Sequence, residues 1–323
     1  MMEWQKRVEL SPLGRRWGRG DRITLWGSCF ADELQQYLYR ELYDCSSSPY
    51  GIIYNPLSMA EGLERLLADR PVTREELIEH EGLWHSPMHH GTFSAPSHEE
   101  TLERISAAWQ KARGRLATTT LWVFTFGTSY LYEWAEAPHG VVNNCHRLPA
   151  SAFRRRRAEV GEIVDRWVPL LEELTKGGAE VVMSVSPIPH YRDGSHESRL
   201  SKSVLLLAVD QLVAKFPMVH YFPSYEIQLD ELRDYRFFAE DMAHPSAVAV
   251  RYILSRFETF ALAEDLAFDR EWHALLRLSE HRPLSSNPER VSAHYKDLLG
   301  RLCRFAERHP HPFLTALINH VEL

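Results

Sequence analysis

The sequence predicts an α/β protein: an open, doubly wound parallel sheet of about five strands, followed by a helical C-terminal extension. Three observations carry that expectation. Short, almost continuously apolar runs recur at wide spacing, the stretches between them repeat apolar residues three and four apart, and residues 263–323 contain helical patches but no strand-like run.

Strands of a sheet covered on both faces read as continuous apolar runs, because neither face meets water. Ile23–Trp26, Leu121–Phe126, Glu180–Val185 and Val219–Phe222 have this character, and Leu42–Cys45 is a fifth, weaker run. Between them, Ala31–Leu42 sets Ala31, Leu34, Leu38 and Leu42 at helical spacing. Arg157–Leu174 aligns Val160, Ile163, Val164, Trp167, Leu170, Leu171 and Leu174, and stops at Gly177-Gly178. Ser203–Phe216 and Ser246–Phe260 read the same way. The α/β domain therefore spans 1–262 and the extension 263–323, with helical patches at Glu271–Leu278 and Val291–Phe305 punctuated by Pro283, Pro288, Pro310 and Pro312. The extension is free to pack on the core, to contact another copy or to cover the site. The segment from Tyr50 to about Pro96, dense in His, Pro and Gly, reads as a long lid-like loop.

Composition narrows the function classes. Of 323 residues, 44% are hydrophobic and 25% charged, as in ordinary globular proteins. Lys and Arg number 37 against 44 Asp and Glu, and a net charge of -7 argues against nucleic-acid or anionic-membrane partners. The basic run Arg154–Arg157 lies among helix formers and reads as a solvated helix face. The N-terminus has no apolar core of a signal peptide, no run is long enough to span a bilayer, and a cytoplasmic location is the expectation. Cys29, Cys45, Cys145 and Cys303 include no Cys-x-x-Cys pair, so neither a disulfide framework nor a structural zinc site is expected.

In open parallel sheets, ligands bind beyond the carboxyl ends of the strands. Ser28 follows the first strand directly and precedes the first helix, with Gly27 allowing a tight turn. There it reads either as a nucleophile or as a helix N-cap. Cys29 competes as nucleophile, since a thiol at a helix N-terminus is activated, but its neighbouring position suits a small buried residue. A base and its orienting acid stand at Asp241-Met242-Ala243-His244: residues three apart share one side of a turn, so Asp241 can hold one imidazole nitrogen of His244 while the other takes the Ser28 proton. Pro245 suits the first helical position after them.

The segment Gly27-Ser28-Cys29-Phe30-Ala31 resembles the signature of the GSCFA family, a branch similar to the SGNH (GDSL-type) hydrolases. Asn55-Pro56-Leu57-Ser58, Leu83–Gly91, Thr125–Thr128, Asn144–Pro149, Ser184–Pro187, Asp234–Phe237 and Asp241–Ser246 resemble further blocks, over about residues 22 to 256. The resemblance implies a flavodoxin-like, SGNH-type sheet and a catalytic triad of Ser28, Asp241 and His244. It further implies an oxyanion hole of the Ser28 amide, a glycine amide and an asparagine side chain. Ser129 stands where that asparagine belongs, so Asn144 is the first substitute, then Asn143 and Asn55. Gly127 matches one block glycine, and Gly51 is the choice for the other.

The histidines His85, His89 and His90, with His80 nearby, lie on the expected active-site side. Substrate contact or hydrogen-bonded structure is expected of them rather than metal ligation, because His80–His85 misses the His-Glu-x-x-His spacing by one residue. His146 and His190, after strand ends, have the same status. Lys202 and Arg236 suit an anionic substrate group or surface ion pairs. The leading expectation is a cofactor-free esterase, or an acyltransferase, acting on an O-acyl or O-acetyl ester of a carbohydrate or lipid-like substrate. The alternatives are a catalytically silent binding module and a His-loop metal enzyme.

Overall fold

The computed structural model describes residues 6–136, 140–281, 284 and 287–322. The chain begins with β1 (Arg22–Gly27), α1 (Cys29–Arg40), β2 (Asp44–Ser47) and α2 (Pro56–Leu67). A short hairpin, β3 (Ile78–His80) and β4 (Leu83–His85), precedes α3 (His98–Arg115) and β5 (Leu121–Phe126). Then come β6 (Tyr130–Trp134), β7 (Val141–Val142), β8 (Phe153–Arg157), α4 (Val160–Thr175), β9 (Glu180–Val185), α5 (Ser195–Lys215) and β10 (Val219–Phe222). The short helix α6 (Ser224–Glu226) and α7 (Ala247–Ala261) close the domain, and α8 (Leu266–Glu280), α9 (Pro288–Arg308) and α10 (Pro312–Glu322) follow.

The central sheet has the order β10-β9-β5-β1-β2, and every pairing is parallel. Alternate side chains of each strand enter two cores. Trp26, Trp122, Phe124, Phe126, Val181, Met183 and Val185 pack under α2, α4 and α5. Ile23, Leu25, Leu121, Val123 and Val182 pack under α1 and α7. Both faces of β1, β5 and β9 are buried, which is why these three read as nearly unbroken apolar runs. The connections reverse direction between β1 and β5, so the carboxyl ends of these two strands flank the switch point where doubly wound sheets bind ligands. Gly27 and Ser28 leave β1 there, and Gly127 leaves β5.

Four sequence expectations change. The run Arg154–Arg157 is strand β8, paired antiparallel to β6, and not a helix face. Its charge is spent locally: Arg155 bonds Asp193 at 2.9 Å and lies 4.0 Å from the Tyr130 ring, Arg156 binds Glu133 and Glu162, and Arg157 reaches Glu197 at 3.1 Å. Helix α4 begins only at Val160, behind a Glu159–Glu162 capping box. The Tyr50–Pro96 segment is no structureless lid, because it contains α2 and the β3–β4 hairpin. Asn55 starts α2: its Oδ1 accepts the Ser58 amide at 2.8 Å, with Pro56 at the first helical position. Finally, α1 ends at Arg40, and Leu42, at φ +63°, belongs to the turn that leads into β2.

The extension packs on the core and stays away from the site. Trp272 Nε1–H donates to the Arg40 carbonyl at 3.1 Å, His273 bonds Glu41 at 2.9 Å, and Leu42 joins the apolar cluster of Trp272, Leu302 and Phe305. These contacts surround the end of α1 and the start of β2, at the amino edge of the sheet, whereas Ser28 stands at the carboxyl edge. Among the described residues no helix is long and apolar enough to cross a membrane.

Candidate active site at the carboxyl edge of the sheet

Gly27 pairs with Thr125 so closely that a Cβ would sit 2.4 Å from the Thr125 carbonyl oxygen. Its φ of +152° turns the chain out of the sheet and into α1. Ser28 takes the N-cap position of α1, yet its side chain makes no capping bond. The residue is 2% exposed and its Oγ has no hydrogen-bond partner. A buried hydroxyl left unpaired costs about 1–3 kcal/mol, and such groups demand an explanation other than local stability. Beside it lies a cavity of about 200 Å³ lined by Ser28, Ala31, Gly51, Ile52, His90 and Thr92. Cys29 does not compete: burial, ahead of its backbone hydrogen bonds, pushes its thiol pKa up, away from the reactive thiolate.

Asp241 and His244 form the expected pair. His244 Nδ1 lies 2.5 Å from Asp241 Oδ2, while Asp241 Oδ1 accepts the amides of Ala243 at 3.0 Å and His244 at 2.9 Å. The His244 bond first, and then these amides, hold the Asp241 carboxyl down at about 2. Met242, at φ +56°, makes the tight turn between them. The expected helix start is displaced: Pro245 pairs with Phe238 in an isolated bridge, and Ser246 caps α7 by accepting the Ala249 amide at 3.3 Å. Helix α7 lies beside α1 through the Tyr37–Glu258 bond. Its last turn bonds the segment around Trp17 at the amino edge, so it begins, with His244, at the same edge as Ser28. The pair is open to solvent, the His244 side chain being 54% exposed, and no hydrogen bond joins it to the buried Ser28.

The expected oxyanion hole is not assembled. The Gly127 amide donates to the Tyr54 carbonyl at 2.7 Å, that of Gly51 to Ser48 at 3.2 Å, and that of Ser28 to Thr125 at 3.2 Å. Asn144 turns its Oδ1 to the His146 amide at 3.0 Å, Asn143 binds the Ile52 carbonyl at 3.0 Å, and Asn55 is the cap of α2. Ser129, in the asparagine's place, is buried and bonded through both its amide and its hydroxyl to Ser201 Oγ.

The histidines divide into structural and site-facing groups. His85 donates Nε2–H to the His80 carbonyl at 3.2 Å, takes the Ser94 hydroxyl at 2.7 Å, and stacks on His146 at 4.5 Å. His146 donates to the Ser86 carbonyl at 2.8 Å. His89, 1% exposed, meets Ser86 Oγ at 2.8 Å, while its Nε2 is buried without a partner. His85 and His146 are tied into the frame by these bonds, and His89 is enclosed in it with one ring nitrogen left over. Of the described histidines only His90 lines the Ser28 cavity, and His190 is exposed beyond β9. Among the described residues no group of three His, Cys, Asp or Glu side chains is arranged to hold a metal.

Burial depresses the pKa of His89 to about 3 and that of His146 to about 4. Their unfolded values lie near 6.5, so below that pH the unfolded chain binds protons that the folded chain refuses. Their contribution is therefore full above pH about 6.5 and lost as pH falls towards 3 to 4. Melting followed at pH 7, 5.5 and 4.5 should show falling Tm, with each histidine losing on the order of a kcal/mol per pH unit. In His89→Gln the fall should be shallower, and an identical slope would remove His89 from this account.

Lys202 departs from expectation most. Instead of a surface cation it is 1% exposed inside α5, donating to the carbonyls of Gly127 at 2.7 Å and Ser186 at 2.8 Å. The only hint in the sequence is its place on the apolar stripe with Leu205, Val209 and Leu212. Arg236 is exposed, 3.8 Å from its neighbour Asp234.

The model of the GSCFA family matches residues 22–257, and the chain belongs to that family. No curated protein matches the chain.

Proposed function

We propose that this GSCFA-family protein is a serine acylhydrolase, or an acyltransferase of the same chemistry, acting on an O-acyl or O-acetyl ester of a carbohydrate or lipid-like alcohol. The observation that carries this reading is the Ser28 hydroxyl: it is placed as a helix cap, is not spent as one, and stands at the switch point beside a cavity. The prealigned Asp241–His244 pair at the same edge supports it.

Ser28 Oγ attacks the ester carbonyl, and His244 Nε2 takes its proton while Asp241 holds Nδ1–H. The tetrahedral intermediate collapses, the alcohol leaves with the proton from His244, and water or a second hydroxyl then releases the acyl group by the same steps reversed. Catalytic hydrogen bonds are often made only in the substrate complex. The Ser28 amide is bonded to Thr125 at 3.2 Å against 2.7 Å for Gly127, and is the easier of the two for a substrate oxygen to displace. A cavity of about 200 Å³ is below the usual range of roughly 300–1,000 Å³ for ligand pockets. It suits a compact acyl group.

A panel of acyl esters tests this reading. Wild type should turn over at least one class, Asp241→Asn should lose about 10⁴-fold in kcat, and His244→Ala on the order of 10⁶-fold. Equal rates in the variants would overturn the triad. The second reading, a silent binding module, is favoured by the missing Ser28–His244 bond; it predicts binding of an acylated ligand without turnover, unchanged in His244→Ala.

A further inference from the structure

Lys202 is a buried cation without an anion. Among the described residues no carboxylate pairs with it. The groups around it are the Cys29 thiol of α1, His190 beyond β9 and the Tyr225 ring of α6, whose centroid is 5.4 Å away. A methionine or leucine would fill the same space without desolvating a charge, so packing does not account for a lysine here. What the ammonium grips is the first residue beyond each of two adjacent strands, Gly127 after β5 and Ser186 after β9. The preceding residue, Ser201, bonds Thr128 Oγ1 at 3.1 Å and the Ser129 amide at 2.9 Å. Two consecutive residues of α5 thus hold the whole 127–129 turn. That turn is the surface on which the serine rests, since a Cβ on Gly127 would stand 3.4 Å from Ser28 Cβ.

We propose that Lys202 is a positioning residue of the Ser28 site: through the Gly127 carbonyl it fixes the turn behind the serine, and its positive charge favours the anion that forms there. This rests on the reading of Ser28 as nucleophile. It would also explain how the site works with Ser129 in place of the side-chain amide, because a fixed charge in a water-poor site stabilises developing negative charge without reorganisation. Burial brings the ammonium's pKa down to about 7, so the charge is present at pH 6 and largely gone at pH 9.

The test uses the full chain with Lys202→Met, which keeps the length, and Lys202→Gln, which keeps a donor. The first readout is the rate of fluorophosphonate labelling at Ser28 between pH 6 and 9.5. Wild type should decline on the alkaline side of pH 7. The uncharged variants should label at least ten-fold more slowly at pH 6.5, with that decline absent, a change of shape that a packing defect alone would not produce. The second readout is the rate of Cys29 alkylation by iodoacetamide at pH 6.5, located by mass spectrometry, which should fall about three-fold or more without the Lys202 charge, the difference closing by pH 9. A folded variant with the wild-type labelling profile and an unchanged Cys29 alkylation rate at pH 6.5 overturns the proposal. If neither variant folds, a wild-type profile flat from pH 7 to 9.5 overturns it. If wild-type Ser28 does not label at all, the hydrolase reading has failed, and a Cys29 rate at pH 6.5 that falls without Lys202 shows the charge acting at the site independently of it, whereas an unchanged rate removes both.

Discussion

Ser28→Ala should abolish ester turnover, by about 10⁴-fold or more in kcat, while leaving the protein as stable as wild type or more so. The two halves of this expectation come from the same atom. Loss of a nucleophile removes covalent catalysis outright, so only rate enhancement from binding and from fixed dipoles survives. Ordinarily, serine at a helix N-cap is worth about 1 kcal/mol, and its replacement by alanine lowers the melting temperature. Here the side chain caps nothing, and its buried Oγ has no partner. Alanine removes the unpaired hydroxyl at no loss of a bond, a gain of up to about 1–3 kcal/mol, which for a domain of this size is a few degrees in Tm. A melting temperature several degrees below wild type would mean that the hydroxyl is tied into the fold and that the N-cap reading of Ser28 is the right one.

Gly27→Ala should be the most damaging single methyl group at the site. An added Cβ would lie 2.4 Å from the Thr125 carbonyl oxygen and 2.9 Å from both Thr125 N and Cβ. The neighbours are backbone of the central strand, which cannot move without breaking the β1–β5 ladder, and the φ of +152° is itself hostile to a side chain. The expected cost is roughly 3 kcal/mol or more, read as a drop in Tm and in the denaturant midpoint. The control is Gly161→Ala inside α4, where nothing lies within 4 Å of the added carbon. That change should be neutral or stabilising by roughly 0.5–1 kcal/mol. Equal effects at the two positions would mean that the tight β1–β5 approach is misplaced.

The fold was legible where burial dictates composition. Leu121–Phe126, Glu180–Val185 and Val219–Phe222 are strands with the expected bounds, because residues covered by helices on both faces are predominantly apolar. The sequence was misleading where side chains compensate one another across space. Four consecutive arginines look like a helix surface until Glu133, Glu162, Asp193 and Glu197 are seen around them. The α2 helix was hidden because its start signal, Asn55-Pro56, lies in a stretch dominated by Pro, Gly and His.

The candidate site divides in the same way. The Asp241–His244 pair is local, three residues apart, and its geometry follows from one turn. Which backbone amides remain free depends on contacts such as Tyr54 to Gly127, which join distant segments and leave no trace in spacing. The buried Lys202 was read as a surface cation for a related reason: a charge suggests solvent, and only its apolar neighbours on the same helix face suggest otherwise.

The most direct test of the central claim, that Ser28 is an activated nucleophile served by His244, is peptide mapping of the protein after reaction with a fluorophosphonate. The account predicts one adduct, on Ser28, that forms at neutral pH and is lost in His244→Ala. An adduct on Cys29 or on another serine, or no adduct on folded protein, would contradict it.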